Sequence, residues 1–355
     1  MRPPDTKLGN PMSKRLVLIS HPLPEGTDLG RIQSMHPDLD VVHMPFRLDA
    51  MATRDFATQP AESLHGWTKS FPAAYLDKLA QAEVVYGLMV PVDLVQRAPK
   101  LRWLCNVLSG SDHLKPLGLA GTKIMVTCSK GVSAVPIAEF VMTQLMALFK
   151  GVIQRHQNQL EHQWRKMTFP NLSDCTVGII GLGEIGTDVA RFSKAMGMRV
   201  LAPRRRPPDA TLPPNVDAQY PIAQLHAMLG QCDAVVLATA LTEDTDKLLG
   251  APQFAAMKRG AFVVNISRGA VIDEEAFAQA VRSGQLGGGA LDVFVQEPLP
   301  KDSPLWDLPN VLISPHNTQG ADDTPGKVYE RFVANMERYL KGEPLRYQVD
   351  TVLGY

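Results

Sequence analysis

Cysteine is scarce in this chain, and the few present are not placed for chemistry. Cys105, Cys128, Cys175 and Cys232 lie far apart and lack metal-ligand spacing, so no metal site is expected. Three fall in or beside apolar, strand-like runs, which reads as buried free thiols in a reducing cytoplasm. Excess charge is also missing: 36 Lys and Arg balance 36 Asp and Glu. That balance argues against a broad nucleic-acid or anionic-membrane surface. No apolar run approaches the length of a membrane span, so neither nucleic acid nor membrane is expected as a partner. There is no internal repeat and no long low-complexity segment. The opening stretch, residues 1–14, is MRPPDTKLGNPMSK. It is polar, proline-rich and without an apolar core, so it reads as a disordered arm and not as a secretory signal.

What is present is a soluble-type composition, 45% hydrophobic and 20% charged. At 355 residues the chain is too long for one comfortable core, and two domains are expected. Strand-like runs at 15–20, 41–44, 82–89, 101–107 and 123–127 alternate with helical patterns. This alternation implies a parallel sheet covered by helices. From Val135 to about Trp164 the pattern is long and helical. Pro136 suits a first helical turn, and Ala138, Val141, Met142, Leu145 and Leu148 form a wide apolar stripe. The more polar part beyond His156 is expected to project from the body and to serve oligomer contact. A second run of six strands follows, at 176–180, 199–202, 234–239, 262–266, 288–293 and 311–314. Six is the number of a complete doubly wound sheet. A last helix is predicted over 327–341.

The most informative stretch opens that second run. Cys175-Thr-Val-Gly-Ile-Ile-Gly-Leu-Gly-Glu-Ile-Gly186 is a short β-branched strand ending in Gly181-x-Gly183-x-x-Gly186, with a helical pattern after it. Strand before and helix after turn a weak glycine pattern into a dinucleotide fingerprint. Gly181 permits the tight turn, Gly183 lets the backbone approach a pyrophosphate, and Gly186 lets helix and strand pack closely. The phosphates would sit on the N–H groups at the helix start, around Glu184, Ile185 and Gly186, where the dipole favours negative charge.

Three later motifs place polar residues at or just beyond strand ends: Val264-Asn-Ile-Ser-Arg-Gly269, Gly289-Ala-Leu-Asp-Val-Phe-Val-Gln-Glu-Pro298 and Leu312-Ile-Ser-Pro-His-Asn317. In an open α/β sheet that edge is where ligands bind. Arg268, Glu297 and His316 would therefore converge near the nicotinamide end of a dinucleotide.

Together with the glycines, these motifs resemble the D-isomer-specific 2-hydroxyacid dehydrogenase family. The resemblance covers nearly the whole chain and is strongest from Gly131 to His316. It implies an α/β fold in which a Rossmann doubly wound parallel sheet, residues 129–316, is inserted into a flavodoxin-like α/β substrate domain, residues 15–128 and 317–355. It implies a homodimer formed through the 135–164 region. It also implies roles. His316 is the general acid that protonates the carbonyl oxygen during reduction. Glu297 holds the other ring nitrogen, fixing the tautomer and favouring the protonated ring. Arg268 grips the 2-oxo acid's carboxylate and carbonyl. Ile266 and Ser267 line the cofactor, and Thr239, Ala240 and Leu241 pass under it. Asp292 sits near the nicotinamide amide, with a helix cap or structural carboxylate as its alternative. Backbone N–H groups around Ser109 and Gly110 receive the substrate carboxylate, with a plain turn as the alternative.

Dinucleotide sites selective for NAD carry an acidic residue about twenty residues past the glycines. Here the strand at 199–202 is followed by Pro203-Arg204-Arg205-Arg206-Pro207, and the first acid is Asp209. Arginines can pair with a 2′-phosphate, so NADP(H) is the preferred cofactor, NAD(H) remains possible, and Arg204 and Arg205 are the candidates. Glu297 argues against the formate branch of the family, which carries glutamine there. The lack of a regulatory domain after Tyr355 disfavours the longer phosphoglycerate enzymes. The expected reaction is reduction of a small 2-oxo acid of glyoxylate or hydroxypyruvate type to the D-2-hydroxy acid. The alternative is a dinucleotide-sensing regulator, since corepressors related to the family keep both fold and triad. Ala240 stands where the family has proline, Ser111 where it has an apolar residue. Asn317 and Gln319 are polar departures after the histidine, read as capping groups or as contacts to a more polar substrate.

Overall fold

The computed structural model describes residues 14–46, 71–205, 211–308, 310–318, 321 and 323–351. The arm at 1–13, Arg206, Asp209 and Gln319 lie outside the described residues. The chain forms two compact units. One joins Met1–Val132 to Asp322–Tyr355, and the other is Ser133–Ala321.

In the first unit, β1 (Arg15–Ile19), β2 (Leu39–His43), β3 (Ala82–Gly87), β4 (Trp103–Asn106) and β5 (Met125–Thr127) form one parallel sheet. Its order is β2-β1-β3-β4-β5, the flavodoxin-like arrangement. β1, β3 and β4 are buried almost throughout because both faces are covered. One face packs on Tyr75, Leu79, Leu94 and Leu114. The other packs on the helix Thr324–Leu340, whose Phe332 ring lies 4.7 Å from Tyr86 and 5.3 Å from Trp103. Phe332 is fully buried, so truncating it to alanine should cost about 3–5 kcal/mol. The helix Thr324–Leu340 thus covers a face of the sheet that β1, far earlier in the chain, begins. That helix starts three residues before the predicted Lys327, with Pro325 in its first turn.

The second unit is built on seven parallel strands: β6 (Thr176–Ile180), β7 (Arg199–Arg204), β8 (Ala218–Pro221), β9 (Ala234–Leu237), β10 (Ala261–Asn265), β11 (Leu286–Leu291) and β12 (Val311–Ile313). Their order is β12-β11-β10-β9-β6-β7-β8. Read from β8, this is the doubly wound order 3-2-1-4-5-6 with one strand added beyond β11. The order reverses between β6 and β9, which makes their carboxyl ends the ligand crevice.

Two expectations need correction here. The sheet has seven strands and not six, because β8 was missed. Its pairing with β7, from Leu201↔Ala218 to Arg204↔Pro221, also carries β7 on to Arg204. The long helix predicted from Val135 is two helices, Ala134–Phe149 and Val152–Leu160, bent by 58°. Gly151 sits between them at φ 58, the left-handed position that ends helices. A side chain there would also collide with the Phe169 ring at 2.2 Å. Beyond the bend, Val152, Leu160 and Trp164 are exposed, whereas the first helix buries eight residues. Among the described residues no single helix is long and apolar enough to cross a membrane.

Candidate active site

The glycine turn sits at the reversal of strand order. Gly181 has φ 104, and a Cβ there would lie 2.5 Å from Ala238 O and 2.9 Å from Thr239 Cα. Only glycine lets the end of β6 approach the segment after β9 this closely. A Cβ on Gly186 would lie 1.9 Å from Gly181 O, so the following helix, Glu184–Ala195, is pressed against the turn. Gly183 differs. Nothing lies within 4 Å of its added Cβ, and no side chain caps the helix start behind it. The turn therefore leaves open space beside the first N–H groups of a twelve-residue helix, which suits a pyrophosphate. Thr239 is half-buried and Ala240 exposed at the opposite lip. The residues present thus fit a dinucleotide.

At the end of β10, Asn265 shapes the next loop. It is fully buried, its Oδ1 accepts the Ser267 N–H at 3.0 Å and hydroxyl at 2.7 Å, and its Nδ2 donates to Arg268 O at 2.9 Å. Ile266 and Ser267 are buried, while the Arg268 side chain donates back to Ser267 O at 2.8 Å. Gly269 follows because a Cβ would lie 1.9 Å from Phe294 C. This close approach brings the Arg268 loop onto the backbone that carries Glu297.

Glu297 binds in two directions. Its Oε1 accepts the Phe294 N–H at 2.9 Å, and its Oε2 lies 2.7 Å from His316 Nδ1. Burial alone would raise this carboxyl. The His316 hydrogen bond, the Phe294 N–H and the charges of His316 and Arg268 outweigh burial and hold it below its ordinary value. An ionised carboxylate only accepts, so Nδ1 carries the hydrogen and Nε2 is left to exchange a proton. The His316 side chain is about one-third exposed, at 31%. Its backbone has φ 50, an uncommon conformation for a residue with a Cβ. The neighbouring Val295 N–H donates to Glu274 Oε1 at 2.7 Å. Burial first, then Glu297 and Asp273, push the Glu274 carboxyl up, against the Val295 hydrogen bond.

Asp292 holds the same loop from beneath. It is 1% exposed and accepts from Ser314 Oγ at 2.6 Å, Asn317 N–H at 3.1 Å, Thr318 N–H at 3.4 Å and Thr318 Oγ1 at 2.8 Å. Of its two expected roles, the structural carboxylate is the one these contacts describe. Asn317 is tied through its backbone, with its side chain exposed.

Arg204 closes β7, and Arg205 follows it. In the first unit, the turn with Ser109 and Gly110 is pinned from two sides. Asn106 Nδ2 donates to Leu108 O at 3.3 Å and Gly110 O at 3.1 Å, and Ser109 Oγ donates to Ser129 O at 3.1 Å. The structure thus gathers Arg268, Glu297, His316 and Asp292 around one loop cluster of the second unit, while Ser109 and Gly110 belong to the first. Sequence reasoning missed the two asparagines, Asn106 and Asn265, and the carboxyl of Glu274. An Asn at a strand end, where side chains bond nearby backbone, was the available signal.

Known proteins resemble this chain in sequence and in fold. The sequence profile of the D-isomer specific 2-hydroxyacid dehydrogenase, NAD binding domain, matches residues 142–318. A glyoxylate reductase of Korarchaeum cryptofilum is 32% identical over 280 residues, spanning 76% of this chain and 82% of the relative. The solved NADPH-dependent glyoxylate/hydroxypyruvate reductase of Sinorhizobium meliloti, in complex with NADP and sulfate, is 26% identical. It superposes with a TM-score of 0.74, covering 96% of this chain and 100% of its own. A D-isomer specific 2-hydroxyacid dehydrogenase from Xanthobacter autotrophicus Py2, solved with NADPH and MES, is 27% identical, also with a TM-score of 0.74, over 97% of this chain and 100% of its own. With a relative 32% identical over 76% of its length, the chain belongs to the D-isomer specific 2-hydroxyacid dehydrogenase family.

Proposed function

We propose that this protein reduces a small 2-oxo acid of glyoxylate or hydroxypyruvate type to the D-2-hydroxy acid with NADPH. The observation that carries the reading is the 2.7 Å contact between Glu297 and His316, with Arg268 close enough to act on the same carboxylate. The relatives bear enzyme names, such as glyoxylate reductase, which does not favour the regulatory alternative.

The nicotinamide, when bound, supplies the hydride. His316 Nε2 delivers the proton to the substrate's carbonyl oxygen and takes it back in the oxidation direction. Glu297 keeps the ring in the tautomer that makes this possible and stabilises it when charged. Arg268 offers its planar fork to the carboxylate and carbonyl oxygens. The Ser109–Gly110 turn, carried by the first unit, offers backbone N–H groups to a carboxylate. The Gly183 turn and the N–H groups of Glu184, Ile185 and Gly186 receive the pyrophosphate, and Thr239, Ala240, Ile266 and Ser267 line the dinucleotide. Arg204 and Arg205 select the 2′-phosphate, so NADP(H) is preferred and NAD(H) serves less well. The second unit is the dinucleotide-binding domain and the first the substrate domain. The protein works as a homodimer through the 135–164 region, a reading supported by exposed Val152, Leu160 and Trp164. Its four buried free thiols support a cytoplasmic setting.

The test is loss of NADPH absorbance with glyoxylate, hydroxypyruvate, pyruvate and phenylpyruvate, repeated with NADH. Turnover favouring NADPH at least about tenfold, a difference of about 1.4 kcal/mol, supports the reading. Turnover with NADH alone overturns the cofactor assignment. Absence of turnover despite cofactor binding overturns the substrate class.

A further inference from the structure

Arg205 already has an anionic partner within the chain. Its Nη2 lies 3.2 Å from Asp244 Oδ2 and donates to Thr242 Oγ1 at 3.1 Å. This bridge joins the end of β7 to the segment after β9. Those strands flank β6 on either side, so the bridge spans the strand that ends in the Gly181 turn. Its acceptor side is held in shape by buried Thr245. The Thr245 hydroxyl donates to Ala240 O at 2.7 Å and accepts the Thr242 N–H at 2.7 Å. The turn so formed presents Thr242 and Asp244 together. Arg205 and Asp244 are both solvent-exposed, with side chains 53% and 77% accessible, so the pair is weak and exchangeable. A phosphate monoester carries more charge and more acceptor oxygens than a carboxylate, and it suits the guanidinium fork.

We propose that Asp244 is a specificity-determining residue: it competes with the cofactor's 2′-phosphate for Arg205, and only a 2′-phosphorylated dinucleotide displaces it. The proposal rests on the NADPH reading above. A dinucleotide without that phosphate brings nothing to exchange and leaves the bridge closed. Selectivity then has two parts, the cation that attracts the phosphate and the internal carboxylate that limits how tightly it is held. Removing the carboxylate frees Arg205 and takes away a like charge. For an exposed pair, that amounts to roughly a threefold to tenfold gain for the phosphorylated ligand, shrinking as salt screens it.

The experiment is calorimetric titration of the full chain with 2′,5′-ADP and with 5′-ADP, at low and moderate salt. Wild type, Asp244→Asn, Glu243→Gln and Arg205→Ala are compared. Glu243 is the adjacent exposed acid, so its variant makes the same charge change without touching the bridge. The expected result is tighter 2′,5′-ADP binding by Asp244→Asn, unchanged 5′-ADP binding, and no comparable gain in Glu243→Gln. Unchanged 2′,5′-ADP binding by Asp244→Asn, or an equal gain in Glu243→Gln, overturns the competitor role and leaves the NADPH reading standing. Wild type that does not prefer 2′,5′-ADP, with Arg205→Ala changing neither ligand, overturns the NADPH reading itself.

Discussion

Asp292→Asn keeps the shape of the side chain and removes one acceptor. In the wild type, Oδ1 receives the Ser314 hydroxyl and the Asn317 N–H, and Oδ2 receives the Thr318 N–H and hydroxyl. Hydroxyls can turn and accept; backbone N–H groups cannot. Whichever way the new amide lies, its NH2 faces one backbone N–H. The site is 1% exposed, so water does not replace the lost bond. A hydrogen bond to a charged group contributes about 1.5–3 kcal/mol, and a buried donor left unpaired costs about 1–3 kcal/mol. If about 2 kcal/mol is withdrawn from the correctly placed His316 loop, kcat falls up to about 30-fold. Thr318→Val removes only the hydroxyl and should cost about 1 kcal/mol, about fivefold. Thr318→Ser keeps it and should stay near wild type. The assay is kcat at saturating NADPH and oxo acid, with cofactor Kd measured separately. An Asp292→Asn enzyme with unchanged kcat and weakened cofactor binding would refute this reasoning, because the carboxylate would then serve the nicotinamide and not the loop.

Other expectations follow from the same geometry. Gly183→Ala should fold with wild-type Tm, since its Cβ meets nothing, and yet bind NADPH at least about tenfold more weakly by blocking the pyrophosphate's approach. Gly186→Ala should instead lower Tm, because its Cβ meets the Gly181 carbonyl; equal Tm values for the two variants would contradict the distinction. Glu297, held below its ordinary 4.5, stabilises the native state above that pH and loses this contribution as pH falls through the lower folded value. Acid unfolding of Glu297→Gln should therefore be less steep than that of wild type in this range. Glu274 has the opposite sign. Its carboxyl is pushed above 4.5, so its ionised form costs stability at neutral pH and the cost fades as the group protonates. Glu274→Gln should gain stability near pH 7 and none below the unfolded value; a pH-independent gain would show that its charge is not the cause.

The strand-end loops of the candidate site were legible because their signals are local. A strand running into spaced glycines, and polar residues just past strand ends, can be read from neighbours in the chain. Strand β8 was not legible. Ala218-Gln-Tyr-Pro221 is half-buried throughout at the sheet's edge, so it shows neither the apolar run of a central strand nor clear alternation. The break at Gly151 was overrun by the apolar stripe on its N-terminal side, although a glycine followed by a more polar stretch is a helix-end signal.

Asn106, Asn265 and Asp292 show a deeper limit. Each side chain binds backbone of a loop, and that loop's path is set by packing elsewhere, so the residue type announces a capacity and not a partner. The glycines make the same point most sharply. In sequence, Gly183 and Gly186 are interchangeable letters of one motif. In the fold, one faces open space and the other stands against a carbonyl oxygen. Sequence shows where a side chain is missing. What meets the vacant position, open space in one case and the protein's own backbone in the other, is decided only when the strands are assembled.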